Sequence, residues 1–312
     1  MATALSTLVI PAEGADYREK TGHRRAGLAL GVVGLGLATI TLIASIVAAQ
    51  QLSDGEEVAS TLAWSFGLTT TAFSILKFGI AVILVGILVR LWFRWDSMDV
   101  TLPKLKGSAE GKAPVGDFES PFGPALATDK APKELPIHKM ARTLWAPMLA
   151  MGAMAVAAGL VVSIVWANQD VTSATGAAAW TQGLQFLGEA FILSGISFLL
   201  GSIVGLIRKG GGEVQESLGL TVKTLKMPVS AKLFVVLMMA GLLVGVAQFI
   251  GYLFVASLSD LTQVASNFAW LGPFRELGLG LLLAGIVLAL ASIARALGFQ
   301  AWRVREIITT GQ

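Results

Sequence analysis

The chain contains no cysteine. That absence removes disulfides, thiolate metal sites, thioether haem attachment and cysteine nucleophiles together. Histidine is nearly as scarce, with only His23 and His138, both in polar stretches outside the apolar blocks. A haem held by two histidines within a membrane is thereby excluded, as is a histidine-rich metal centre. Charge is sparse at 14% of residues, while 54% are apolar and gathered in long runs. Runs of about 20 such residues cross roughly 30 Å of hydrocarbon as helices, so the composition predicts an integral membrane protein. Residues 1–25 carry Pro11, Glu13, Asp16, Arg18, Lys20 and Arg24. They lack the apolar core of a cleavable secretory signal, and the first spanning helix is expected to serve as an uncleaved anchor.

Six apolar segments are read at 26–50, 66–92, 146–167, 182–207, 233–257 and 274–297. Three stretches of the chain repeat one another. Trp64, Trp180 and Trp270 each follow an alanine, have an aspartate ten positions earlier (Asp54, Asp170, Asp260) and a Gly-Ile pair beginning fifteen positions later (Gly79, Gly195, Gly285). Ser45 to Gln51 also matches Ser163 to Gln169 in the odd-numbered segments. A register held without gaps predicts one structural unit used three times. The expected fold is therefore all-α, with six transmembrane helices built as three tandem two-helix hairpins. The predicted organisation is a 1–25 terminal segment, hairpins at 26–94, 142–208 and 232–297, connections at 95–141 and 209–231, and a 298–312 tail.

Basic residues concentrate in the two termini and the two long connections, whereas the loops inside the hairpins carry Asp54, Glu56, Glu57, Asp170 and Asp260. Lys and Arg collect on the cytoplasmic side, which predicts cytoplasmic N and C termini in a bacterial cytoplasmic (inner) membrane. The 95–141 connection holds six of the ten prolines. A segment of this composition is expected to stay extended when alone and to become ordered on a partner, with Phe118 and Phe122 as candidate anchors. The triple glycine at Gly210–Gly212 reads as the stop of the fourth helix. Glycines at four-residue spacing (Gly27 and Gly31, Gly201 and Gly205, Gly241 and Gly245) permit close helix contact.

Ionisable residues inside apolar helices are the candidate site, because each is costly in hydrocarbon unless paired or solvated. Lys77, Glu189 and Glu276 lie thirteen, nine and six residues past their repeat tryptophans, an offset series that predicts one shared helix face. With the hairpins around a pseudo-threefold axis, Lys77 and Glu189 are placed to meet. Arg275 and Glu276 follow Pro273 and read as first-turn residues of the sixth helix, where an acidic group favours the helix dipole.

Three tandem two-helix units are similar in architecture to the mitochondrial carriers. Carriers place a proline, an acidic and a basic residue at the end of each odd helix, where this chain has Gln50-Gln51, Asn168-Gln169 and Leu258-Ser259, so the chain is not assigned to that family. Two functions are carried forward. The first is a non-catalytic accessory or scaffold subunit of a larger membrane protein complex. The alternative is a small-solute or ion transporter with Lys77 and Glu189 as an intramembrane coupling site. No catalytic residue, metal site, cofactor or nucleic-acid partner is expected, and the composition leaves room for bound lipid or pigment.

Overall fold

The computed structural model describes residues 22–53, 59–101, 114–168 and 171–310. Asp54, Glu56, Glu57 and Asp170 of the predicted signatures lie outside them. Six long helices follow in order: α1 (Gly22–Ser53), α2 (Ala59–Thr101), α3 (Pro136–Ala167), α4 (Val171–Ser217), α5 (Val229–Ala256) and α6 (Leu261–Thr310). Each carries a stretch long and apolar enough to cross a membrane. Three short strands occupy the connections: β1 (Gly116–Ser120), β2 (Gly123–Thr128) and β3 (Val222–Leu225).

Helices α3, α4 and α6 outrun the apolar segments that announce them, because a helix continues through amphipathic sequence until a capping signal stops it. Helix α3 begins at Pro136, just after the extended residue Leu135, in the first-turn position where proline's missing N–H costs nothing. Helix α6 begins where Asp260 Oδ1 accepts the Thr262 N–H at 2.8 Å. Pro273 therefore lies inside α6, and Arg275 and Glu276 are not first-turn residues. Helix α4 does not stop at Gly210–Gly212. It stops at Gly219, whose φ of +75° lets its N–H reach Glu216 O at 2.9 Å while the Leu220 N–H reaches Gln215 O at 3.0 Å, a double closure that favours glycine. Gly211 and Gly212 instead form contact surface: a methyl on the first would strike Gln300 and on the second Pro132.

Consecutive helices pair as α1–α2, α3–α4 and α5–α6, and each pair crosses at a small residue. A methyl on Gly34 would sit 2.8 Å from Ala72 O, one on Gly152 2.8 Å from Gly188 O, and one on Gly241 2.9 Å from Gly278 O. Ala72, Gly188 and Gly278 each stand eight residues after a repeat tryptophan, so the three crossings share a register. Apolar burial gives no driving force between helices that are surrounded by lipid, and close packing of this kind is what would hold such helices together.

The hairpins do not close around a threefold axis. Helix α2 packs on both α3 and α4, and α4 packs on both α5 and α6, while the first and third hairpins share no extensive contact. The arrangement is an open row with α4 at its centre: 78% of the most apolar stretch of α4 is buried, against 12% for α1 and 28% for each of the other four. Leu193, Ile196, Leu199 and Ile203 of α4 form the middle of the core, joined by Leu149, Phe234 and Leu282 from three neighbours.

The strands form one antiparallel sheet in the order β1-β2-β3, with Ser120 opposite Gly123 across the hairpin turn and Leu126 opposite Thr224 in the second pairing. Residues 114–135 of the proline-rich connection are thus folded against their own helices, contrary to the expectation that they need a partner. Ala125 and Ala127 are buried, and polar contacts with neighbouring segments tie the sheet down. Glu216 Oε2 accepts the Ala131 N–H at 2.8 Å and Gln215 Oε1 accepts the Lys223 N–H at 2.6 Å. Arg295 Nε donates to Phe122 O, and Lys226 pairs with Asp117 at 2.5 Å. Phe122 packs against Gly298 and Phe118 lies 5.5 Å from Lys223 Nζ, so both aromatic anchors act within the chain.

Candidate functional site

A buried polar seam runs between α2 and α4. Thr70, Ser74 and Lys77 face it from α2, and Thr181, Gln185 and Glu189 from α4, at spacings of three or four residues that align each set on one helix face. All except Lys77 are buried. Lys77 Nζ lies 2.7 Å from Glu189 Oε1, with the two side chains 22% and 6% exposed. The two charges meet as the sequence suggested, but through side-by-side packing of adjacent hairpins rather than around a common axis. Gln185 Nε2 donates to Gly67 O at 3.0 Å. That approach needs a glycine, because a methyl at Gly67 would collide with Ser163 of α3.

The seam is only partly satisfied. Thr70 Oγ1 donates to Phe66 O at 3.2 Å. Ser74 Oγ, Thr181 Oγ1 and Gln185 Oε1 are buried and meet no hydrogen-bond partner among the described residues. Each such atom costs roughly 1–3 kcal/mol when left dry. Groups of this kind mark places where water or an ion completes the set.

Arg275 and Glu276 lie apart from the pair. The Arg275 guanidinium stacks 3.8 Å from the Phe186 ring centroid and binds Glu276 at 2.6 Å. Phe186 in turn meets Phe66 of α2 edge-on, with ring centroids 6.3 Å apart. Arg275 therefore locks the third hairpin onto the second, while the Glu276 side chain is 63% exposed and does not share the buried face of Lys77 and Glu189. Capping of α6 falls to Asp260, the one repeat aspartate within the described residues. Among the repeat tryptophans, Trp64 is half-buried, whereas Trp180 and Trp270 are 43% and 51% exposed.

Chemically, the seam offers one proton donor–acceptor pair inside a row of hydroxyl and amide groups. Among the described residues no group of three His, Cys, Asp or Glu side chains is placed to hold a metal. His138 stands in the first turn of α3 with Nδ1 3.1 Å from Gly201 O, apart from the seam. The sequence reading singled out the two charges and passed over Ser74, Thr181 and Gln185. Their spacing of one turn (Ser74, Gln185) or two turns (Thr181) from Lys77 and Glu189 is the signal the sequence carries. No family model matches this chain, and no curated protein or solved structure matches it either.

Proposed function

We propose that this chain is a non-catalytic accessory or scaffold subunit of a larger membrane protein complex, with both termini on the cytoplasmic side of a bacterial inner membrane, built from one hairpin unit used three times. A single observation carries the reading. The face that α2 and α4 use to dock the next hairpin recurs on α6, where none of the described residues covers it. At three, ten, thirteen and seventeen residues past the repeat tryptophan, α2 has Gly67, Ser74, Lys77 and Ala81, and α4 has Gly183, Ala190, Leu193 and Ser197. All eight are buried except half-buried Lys77. The corresponding α6 residues, Pro273, Gly280, Leu283 and Val287, are all exposed. Ala190 of this set touches the next hairpin at Gly245, and its counterpart Gly280 has open space around it. A head-to-tail contact that does not close on itself leaves a free end able to receive another unit. The occupant of that end is a helical hairpin of another subunit.

Mass measurement after extraction in mild detergent tests the reading. A stable assembly heavier than the 32.6 kDa chain is expected, and Val287→Trp should release it while the released chain remains folded. A monodisperse single chain under the same conditions would overturn the proposal. A second reading, ion or small-solute transport, is favoured by the unsatisfied Ser74, Thr181 and Gln185 atoms beside the Lys77–Glu189 pair. Solute or proton flux through liposomes holding the isolated chain, abolished by Glu189→Gln, would select it over the first.

A further inference from the structure

Beneath the sheet a cavity of about 100 Å³ opens between α3, α4, α5 and α6. Its walls are strongly apolar, with Phe198 from α4, Phe234, Val235 and Met238 from α5, and Ala289 and Phe299 from α6. Four basic side chains, His138, Arg208, Lys226 and Arg295, also line it, and no acidic residue does. Three of these have partners. Lys226 binds Asp117, Arg295 donates to Phe122 O, and His138 Nδ1 lies beside Gly201 O. Arg208 differs, because its Nε is buried and meets no acceptor among the described residues. A guanidinium N–H removed from water and left unpaired is unfavourable, so an anionic group from outside the chain is its natural complement. The apolar walls exclude a small hydrated anion as the whole occupant, since a cavity so lined has too few polar partners for water.

We propose that this cavity binds an anionic amphiphile, with its phosphate or carboxylate on Arg208 and its acyl chain against Phe198, Phe234 and Met238. The cavity lies where the apolar helix bodies give way to the sheet and its polar bonds, the level at which a lipid changes from chain to headgroup. The β1–β2 turn, held down by Arg295, and the Lys226–Asp117 pair tie the sheet over the headgroup end. The inference is independent of whether the chain is a complex subunit.

Native mass spectrometry of the full chain in mild detergent, titrated separately with phosphatidylglycerol, oleate, the uncharged glyceride monoolein and inorganic phosphate, tests the proposal. One bound phosphatidylglycerol or oleate is expected, held about tenfold or more tightly than monoolein, which has no anionic group and so forms no charge-assisted hydrogen bond to Arg208. The tighter of the two anions identifies the source as phospholipid or free fatty acid. Inorganic phosphate alone should not bind. Arg208→Gln should erase the preference for the anionic lipid, Arg208→Lys should keep most of it, and Ala289→Phe should block every amphiphile by filling the cavity. Should Arg208→Gln not fold, Arg208→Lys and Ala289→Phe decide the matter. Equal binding of anionic and uncharged amphiphiles, selectivity that survives Arg208→Gln, or lipid binding unaffected by Ala289→Phe would overturn it.

Discussion

Removing one partner of the Lys77–Glu189 pair should cost more from one side than from the other. The Nζ–Oε1 distance is 2.7 Å, and the two side chains are unequally buried, with Lys77 22% exposed and Glu189 only 6%. Lys77→Met strands the more buried Glu189, whereas Glu189→Gln leaves a lysine whose flexible stem can carry its amine toward water. A fully stranded buried charge costs roughly 3–5 kcal/mol. Lys77→Met is expected near the top of that range and Glu189→Gln near or below its bottom. Replacing both, as Lys77→Met with Glu189→Leu, removes the desolvated charges together and should recover most of the loss. Thermal unfolding in detergent, followed by near-UV dichroism of the tryptophans, gives the order of midpoints: wild type and double variant highest, Glu189→Gln intermediate, Lys77→Met lowest. A double variant no more stable than Lys77→Met, or a Lys77→Met chain as stable as wild type, would refute the argument that the pair is a desolvated staple between hairpins.

The remaining expectations concern packing, the sheet and topology. Gly152→Val forces a methyl to within 2.8 Å of Gly188 O and should cost about 1–3 kcal/mol as overpacking; Gly36→Ala, with open space around it, should leave the same unfolding midpoint unchanged. Arg295→Ala removes the bond to Phe122 O and should speed tryptic cleavage at exposed Lys130 and Lys133, while the isolated wild-type chain resists; equal rates would show that the sheet does not depend on this tether. Cysteine placed at exposed Ser259 should react with an impermeant reagent from outside intact cells, because basic residues cluster at the opposite helix ends; reaction only after lysis would invert the proposed orientation.

Much of the helical fold is visible in the sequence because its signals are local and repeated. The Asp–Trp–Gly-Ile spacing around Trp64, Trp180 and Trp270 survives without gaps, and in the structure it sets the register of the Ala72, Gly188 and Gly278 crossings. The sheet is not local. Leu126 pairs with Thr224 across the whole of α3 and α4, and β1 and β2 hold no β-branched residue except Thr128 at the last position, so nothing in either segment announces a strand. The end of α4 departs from its local sequence signal for a related reason. Gly210–Gly212 has the composition of a helix stop, but packing against Pro132 and Gln300 holds those glycines in helical geometry until Gly219. At the candidate site the two charges stood out against apolar sequence. Ser74, Thr181 and Gln185 did not, because short polar residues are common in membrane helices and only burial against a neighbour gives them meaning.

The β2–β3 ladder also tests how the chain has threaded itself. Strand β2 precedes α3 and β3 follows α4, so the whole second hairpin is synthesised between the two strands, and they can bond only if that hairpin returns to the side from which it left. In the proposed membrane-spanning arrangement, inverting one of its two helices would set the strands apart by the thickness of a bilayer, roughly 30 Å, with their backbone groups unpaired and Arg295 without its carbonyl. In that arrangement a correctly inserted chain is distinguished from a mis-inserted one by a small patch of sheet that only an even number of crossings can close.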